Sequence, residues 1–267
     1  MTDQQLRPTA QRGAPVWIDL STHDPQGSEA FYTTLFGWEF QDQGEAFGHY
    51  HQVLGPDGPL AGAMTTLMTP EGPVDEPQGP TAWTVYLATD DADALTGRVA
   101  AAGGSVLYPA MPVPDFGTMA LLATPGGAAV GLWQPGPFTG FTLTLKESTP
   151  VWFEQLSTDF DADLAFYQKV FGWQVDDISE PGSPRYATNG AGPDAICGLC
   201  DAASFDPPID SHWRIYFAVA DCEAACRRVL ELGGTVQDGP SESPYGKVAS
   251  VTDPQGARFQ LNQPPAS

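Results

Sequence analysis

Two carboxylates, Asp19 and Glu154, each stand two residues after a tryptophan in strand-like segments, Val16-Trp17-Ile18-Asp19-Leu20 and Val151-Trp152-Phe153-Glu154. On a strand, residues two apart share a face, so each indole and its carboxylate point the same way. A carboxylate on an inward face is costly to bury unless it is paired or used. Desolvation by the neighbouring indole raises its pKa toward the range of a general base. Asp19 has no evident cationic partner and is the stronger catalytic candidate. Glu154 has Arg214 and Arg258 as candidate partners, so a structural ion pair competes with an acid/base role.

Period-two alternation extends the inward-facing set. In the N-terminal half it collects Trp17, Asp19, Thr84, Tyr86, Ala129, Gly131 and Trp133; in the C-terminal half Trp152, Glu154, His212, Arg214, Tyr216, Arg258, Gln260 and Asn262. The first set is aromatic with one carboxylate, the second polar beyond its first strand. Such aromatic faces stack on planar molecules while Tyr O–H and Trp N–H groups orient them. These residues are therefore read as lining ligand cavities, with core filling the competing role for Trp17 and Trp152.

His49 and His51 flank Tyr50 in a stretch that reads as strand, which places both imidazoles on one face, a spacing that can chelate Zn, Ni or Fe. No third ligand is in register, although Asp42 and Glu45 are nearby, so a ligand-facing or solvated pair is expected. Four cysteines also invite a metal reading: Cys197 and Cys200, then Cys222 and Cys226. The first pair has an odd strand spacing that sends the thiols to opposite faces. The second is four apart on a helix, where one is expected in the core and one near the surface. Free thiols in a reducing compartment are expected. No Ser-His-Asp set, phosphate-cradling loop or dinucleotide fingerprint stands out.

The elements that position these residues are written twice. PVWIDLST…AFYTTLFGW from Pro15 returns as PVWFEQLST…AFYQKVFGW from Pro150, which aligns Trp17 with Trp152, Phe31-Tyr32 with Phe166-Tyr167 and Phe36-Gly37-Trp38 with Phe171-Gly172-Trp173. A fixed offset with shared aromatics marks a duplication. Each repeat divides again into two strand–helix–strands units. The second units open at Trp83 (WTVYLATDD) and Trp213 (WRIYFAVAD), and their helices stop at Gly103-Gly104 and Gly233-Gly234. A Pro/Gly/acid-rich stretch over 69–80 reads as loop. Loops Asp115-Phe116-Gly117 and Pro244-Tyr245-Gly246 correspond and are placed to close over a pocket. The expected organisation is a loose tail over 1–13, a first domain over 14–135, a linker over 136–149 and a second domain over 150–264. The expected fold is α+β: a tandem duplication of paired βαβββ modules, four in all, forming two curved mixed sheets around cavities.

Bulk properties narrow the partners. Eleven Lys+Arg against 33 Asp+Glu give a net charge of −22, which repels phosphate backbones and anionic membranes, so neither nucleic acid nor membrane is an expected partner. No apolar run approaches the ~18 residues of a membrane span. The N-terminal stretch carries no hydrophobic signal segment, and a cytoplasmic protein, monomer or homodimer, is expected.

The strand–Asp–AFY–FGW opening and the closing TDPQGARFQL from Thr252 resemble the vicinal oxygen chelate superfamily, that of glyoxalase I, extradiol dioxygenases and bleomycin-resistance proteins. The resemblance covers nearly all of 14–264 and is similar, more narrowly, to two-domain actinobacterial proteins labelled hydroxylase or glyoxalase-like. It implies a divalent metal held by inward His or Glu side chains. Carried onto this sequence, the ligand positions fall on Trp17, Thr84 and Gly131 in one repeat and on Trp152, Arg214 and Gln260 in the other. None is a good cation ligand, so no metal and no cofactor are expected. What remains is a protein that binds a small apolar or aromatic metabolite, in secondary metabolism such as antibiotic biosynthesis or in antibiotic sequestration. The alternatives are an enzyme that isomerises, cyclises or hydroxylates such a metabolite through Asp19 or Glu154, and a metal-dependent lyase or dioxygenase in which His49 and His51 recruit further ligands.

Overall fold

A computed structural model describes residues 11–69, 72–141, 145–205 and 209–265. The first module is β1 (Pro15–Thr22), α1 (Pro25–Phe36), β2 (Glu39–Asp42), β3 (His51–Gly55) and β4 (Gly58–Thr65). Two short strands, β5 (Met68–Thr69) and β6 (Gly72–Pro73), pair with each other inside the stretch expected to be loop. The second module is β7 (Ala82–Ala88), α2 (Ala92–Val99), β8 (Ser105–Val113), β9 (Gly117–Ala123) and β10 (Ala129–Pro135). The third is β11 (Pro150–Ser157), α3 (Phe160–Phe171), β12 (Asp176–Asp177), β13 (Tyr186–Thr188) and β14 (Cys197–Asp201). The fourth is β15 (His212–Ala218), α4 (Cys222–Glu231), β16 (Thr235–Ser243), β17 (Gly246–Thr252) and β18 (Arg258–Gln263). The four βαβββ modules assemble in pairs into two curved eight-stranded mixed sheets, ordered β2-β3-β4-β1-β7-β10-β9-β8 and β12-β13-β14-β11-β15-β18-β17-β16.

Every module turns from strand to helix in the same way. Asp24, Asp91, Asp159 and Asp221 precede the helices, and each carboxylate accepts from a backbone N–H of the first turn, satisfying a donor the helix itself leaves open. Gly37 and Gly172 end α1 and α3 in left-handed conformation (φ 75° and 78°), where a side chain would be strained. The chain then turns back and buries Trp38 and Trp173, which stack on Tyr32 and Tyr167 at 5.5 and 4.2 Å. These two tryptophans are core, as their place after a helix end suggests.

The repeats interlock through the same motif. Trp38 Nε1 donates to the Ser148 carbonyl just before β11, and Trp173 Nε1 donates to the Gly13 carbonyl just before β1. Phe31 and Phe36 of α1 pack against Phe259 and Phe217 of the other repeat. Burial of each such ring contributes roughly 1.5–3 kcal/mol. The expected loose tail lies mostly outside the described residues, but Gly13 at its end is held by the Ala88 carbonyl and by Trp173. Among the described residues no helix is long and apolar enough to cross a membrane.

Candidate functional site

Strands β1 and β7 run antiparallel at the centre of the first sheet, with Trp17 opposite Tyr86 and Asp19 opposite Thr84. On the other flank β1 pairs with β4, with Asp19 opposite Gly62. Asp19 is buried, at 6% exposure, and among the described residues no cation accompanies it. Its Oδ1 accepts from Trp17 Nε1 at 2.8 Å and from the Tyr50 hydroxyl at 2.7 Å, and Trp17 Nε1 also lies 2.9 Å from the Tyr50 oxygen. Burial raises the Asp19 pKa; the Tyr50, Tyr86 and Trp17 donors pull it partly back. Burial, then the nearby Asp19 charge, pushes the Tyr50 and Tyr86 phenols well above their ordinary value, so both remain donors. A buried carboxylate in the hands of neutral donors results.

The second sheet repeats the plan with one substitution. Trp152 lies opposite Tyr216 and Glu154 opposite Arg214, while Glu154 faces Gly198 across β14. Trp152 Nε1 donates to the Tyr186 hydroxyl at 2.9 Å, as Trp17 does to Tyr50. Glu154 Oε1, however, accepts from Arg214 Nε at 2.9 Å, from Arg214 Nη2 and from the Tyr216 hydroxyl at 3.1 Å. The ion pair that competes with an acid/base role for Glu154 is present, with Arg214 and not Arg258 as partner. The replacement of Thr84 by Arg214 at equal register therefore decides whether the carboxylate has a counter-charge.

Tyr50 and Tyr186 belong to these clusters although strand alternation from the carboxylates does not reach them. They arrive from neighbouring elements, and each needs a glycine opposite the carboxylate. A Cβ at Gly62 would collide with the Tyr50 hydroxyl and Asp19, and one at Gly198 with the Tyr186 hydroxyl. The signal for them was in the duplication, since GHY and PRY hold a shared tyrosine close to the common offset.

The mouths of the two concave faces differ. In the first half, the connection leaving β10 folds back over the face: Phe138 meets Trp17 edge-on at 4.8 Å, and its carbonyl accepts from Trp133 Nε1 at 3.1 Å. Phe116 packs on Phe138 at 6.0 Å and Phe47 on Phe116 at 5.7 Å, extending the ring chain outward. In the second half the loop counterpart of Phe116, Tyr245, is 75% exposed, and a cleft of about 190 Å³ opens between β15, β17 and β18. Its walls carry His212, Arg214, Arg258 and Gln260 with Ser250, Leu156 and Ile209. His212 Nδ1 lies 2.7 Å from the Asp210 carbonyl; burial, with Arg258 and Arg214 nearby, pushes its pKa down.

The metal positions implied by the superfamily resemblance do not fit a divalent cation. Trp17 and Thr84 offer no charged donor, and the Tyr86 ring covers the place a side chain at Gly131 would fill. In the second half the middle position is Arg214, whose guanidinium is bound to Glu154 and lines one cleft with Gln260. Among the described residues no group of three or more His, Cys, Asp or Glu is placed to hold a metal ion.

The shared-face geometry expected for His49 and His51 is corrected. His49 lies outside β3 in a left-handed turn (φ 58°), exposed and 2.9 Å from Asp42, while His51 opens β3 beside the Phe40 ring. The Gly44 to Gly48 turn interrupts the expected strand, so alternation does not run through both imidazoles. Neither joins the Asp19 cluster. The four thiols are free and buried. Cys197 packs in the main core and Cys200 with Leu156 and Ala202, on opposite faces as expected. Cys226 is buried with Cys222, not near the surface, because α4 is covered on that side by the sheet.

The sequence profile of the Glyoxalase/Bleomycin resistance protein/Dioxygenase superfamily matches residues 14–132 and 149–261. "Putative glyoxylase CFP32" of Mycobacterium tuberculosis is 35% identical over 95% of this chain and 96% of its own. "Anthracycline biosynthesis protein DnrV" of Streptomyces peucetius is 34% identical over 93% of this chain and 92% of its own. Among solved structures, the Mn(II)-bound glyoxalase of Novosphingobium aromaticivorans shares the fold with a TM-score of 0.63 at 15% identity, over 94% of this chain and 82% of that one. The 2,3-dioxygenase LapB of Pseudomonas sp. KL28 does so with a TM-score of 0.60 at 11% identity, over 96% and 94%.

Proposed function

The chain belongs to the glyoxalase/bleomycin resistance protein/dioxygenase superfamily, and from that premise we propose that it binds a small, planar aromatic metabolite on the concave face of its first half. The observation that carries this reading is the chain of rings from Phe47 through Phe116 and Phe138 to Trp17, set over a carboxylate whose donors are all neutral. The ligand ring takes the edge-on position that Phe138 holds against Trp17, a geometry that favours aromatic over aliphatic guests. A hydroxyl or carbonyl on its edge reaches the Asp19–Tyr50–Tyr86 cluster. The cluster is hydrogen-bonded within itself, so a ligand with a matching polar edge adds a bond to it and a ligand without one gains nothing there. The relatedness to anthracycline biosynthesis proteins supports a polycyclic ligand of secondary metabolism.

Titration with 1,4-dihydroxyanthraquinone, followed by tryptophan fluorescence and calorimetry, tests the proposal. Saturable binding is expected, weakened about tenfold or more in Trp17→Leu and about tenfold in Tyr50→Phe. Absence of saturable binding, or equal affinity in both variants, overturns it.

One observation favours a second reading, in which the bound molecule is also turned over. Burial raises the Asp19 pKa, the direction in which a carboxylate becomes a better proton acceptor, beside two phenols able to stabilise a developing oxyanion. In that case Asp19→Asn abolishes turnover and leaves affinity largely intact. Turnover unchanged in Asp19→Asn and in Glu154→Gln leaves binding alone.

A further inference from the structure

The second half's cleft differs from the first half's mouth in charge as well as openness. Of only eleven Lys and Arg residues in the chain, two line this one cleft together with His212. Against 33 acidic residues such a concentration is not what a uniformly solvated surface produces.

The charges can be counted. Arg214 is matched by Glu154, with two of its nitrogens on one carboxylate oxygen. His212 is held toward its neutral form by burial and by the two arginines. Arg258 makes no hydrogen bond or ion pair with any described residue, which leaves one uncompensated positive charge on the wall. Beside it, Gln260 accepts from the Ser250 hydroxyl at 2.8 Å through Oε1, so its amide N–H groups remain for a ligand. Leu156 and Ile209 form an apolar wall, and Asp210 stands at the rim, where its carboxylate disfavours a second negative charge. The cleft, about 190 Å³, falls below the ~300 Å³ at which sites for drug-sized ligands begin.

The geometry points to a second ligand site in this cleft, independent of the aromatic site of the first half, that takes a small organic monocarboxylate. Its carboxylate meets the planar fork of Arg258 and the Gln260 amide, and its apolar part lies against Leu156 and Ile209. A guanidinium presents two parallel N–H donors that match a carboxylate, so the charge also sets orientation.

Calorimetric titration of the full chain with propionate, benzoate and inorganic phosphate tests the site. Both carboxylates are expected to bind saturably at millimolar or lower concentration, and phosphate, dianionic at pH 8, at least tenfold more weakly. Arg258→Gln is expected to weaken carboxylate binding roughly tenfold to hundredfold. Arg258 is exposed, so this change leaves the fold intact, which circular dichroism checks. Arg258→Lys keeps the charge without the fork and is expected to fall between. Arg98→Gln removes the same charge from the outer face of α2 and is expected to leave affinity unchanged. Phosphate binding as tightly as the carboxylates, an equal loss in Arg98→Gln, or no saturable heat with either acid overturns the assignment. None of these outcomes depends on whether the first half binds an aromatic ring.

Discussion

Two halves built on one plan solve the same problem, a carboxylate buried beside an inward tryptophan, in opposite ways. In the first, Asp19 is held by Tyr50 and Trp17 and no cation of the described residues reaches it. In the second, Glu154 is bound by Arg214 from the strand position that Thr84 occupies in the first. The mouths diverge in parallel: Phe138 and Phe116 cover the first face, while Tyr245 stands away from the second and leaves a cationic cleft. An apolar, neutral environment raises the proton affinity of a carboxylate and suits a planar guest. A compensated ion pair with one spare arginine suits an anion.

The largest test of the contrast is to remove the cation from the second half. Arg214→Met leaves Glu154 buried without a counter-charge, with only the Tyr216 hydroxyl on its Oε1, and is expected to cost ~3–5 kcal/mol in urea unfolding. Glu154→Gln with Arg214→Met should recover most of that loss. A single variant as stable as wild type would erase the electrostatic distinction between the halves. Next in size are the glycines opposite the carboxylates. Gly62→Ala and Gly198→Ala drive a methyl into Tyr50 and Tyr186, respectively, and each is expected to cost about 1–3 kcal/mol. Gly62→Ala should also weaken dihydroxyanthraquinone binding, whereas Gly198→Ala should not.

A smaller effect is expected from Asp19→Asn, and it should be visible mainly in its pH dependence. Burial holds the folded-state pKa of Asp19 above 3.8, so the folded protein keeps this proton more tightly than the unfolded chain. Its contribution to stability therefore grows as pH falls through the folded pKa, is complete near 3.8, and is absent above the folded value. Asp19→Asn should abolish that rise across urea midpoints measured from pH 4 to 8. At pH 7 it should stay within about 1 kcal/mol of wild type, since the amide oxygen still accepts from Tyr50 and Trp17. The smallest effects belong to the exposed pairs at corresponding turns. His49→Gln, which breaks the contact with Asp42, and Arg185→Gln, which breaks those with Asp161 and Asp201, should each leave the urea midpoint close to that of wild type. Measurement at high salt should shrink both further.

Local chemistry made much of the fold legible. An aspartate before each helix, a glycine after α1 and α3, and tryptophans returning to the core are signals carried within a dozen residues, and the repeat multiplies them. The Trp–carboxylate pairs were legible for the same reason, because period-two alternation is a local rule. Tyr50 was not, since its hydroxyl reaches Asp19 from 31 residues away and across a turn that breaks the strand pattern. The misplacement of His49 has the same origin: the turn that ends in left-handed Gly48 and His49 resets the face on which the later side chains lie.

By itself the sequence determined the duplicated scaffold and the four βαβββ modules. Only the tertiary structure decided which arginine neutralises Glu154, which tyrosine serves Asp19 and which concave face stays open. Those outcomes depend on registers between strands far apart in the chain and on where the connection after β10 folds back. Register and loop docking minimise the free energy of the whole assembly, and no window of neighbouring residues contains that sum.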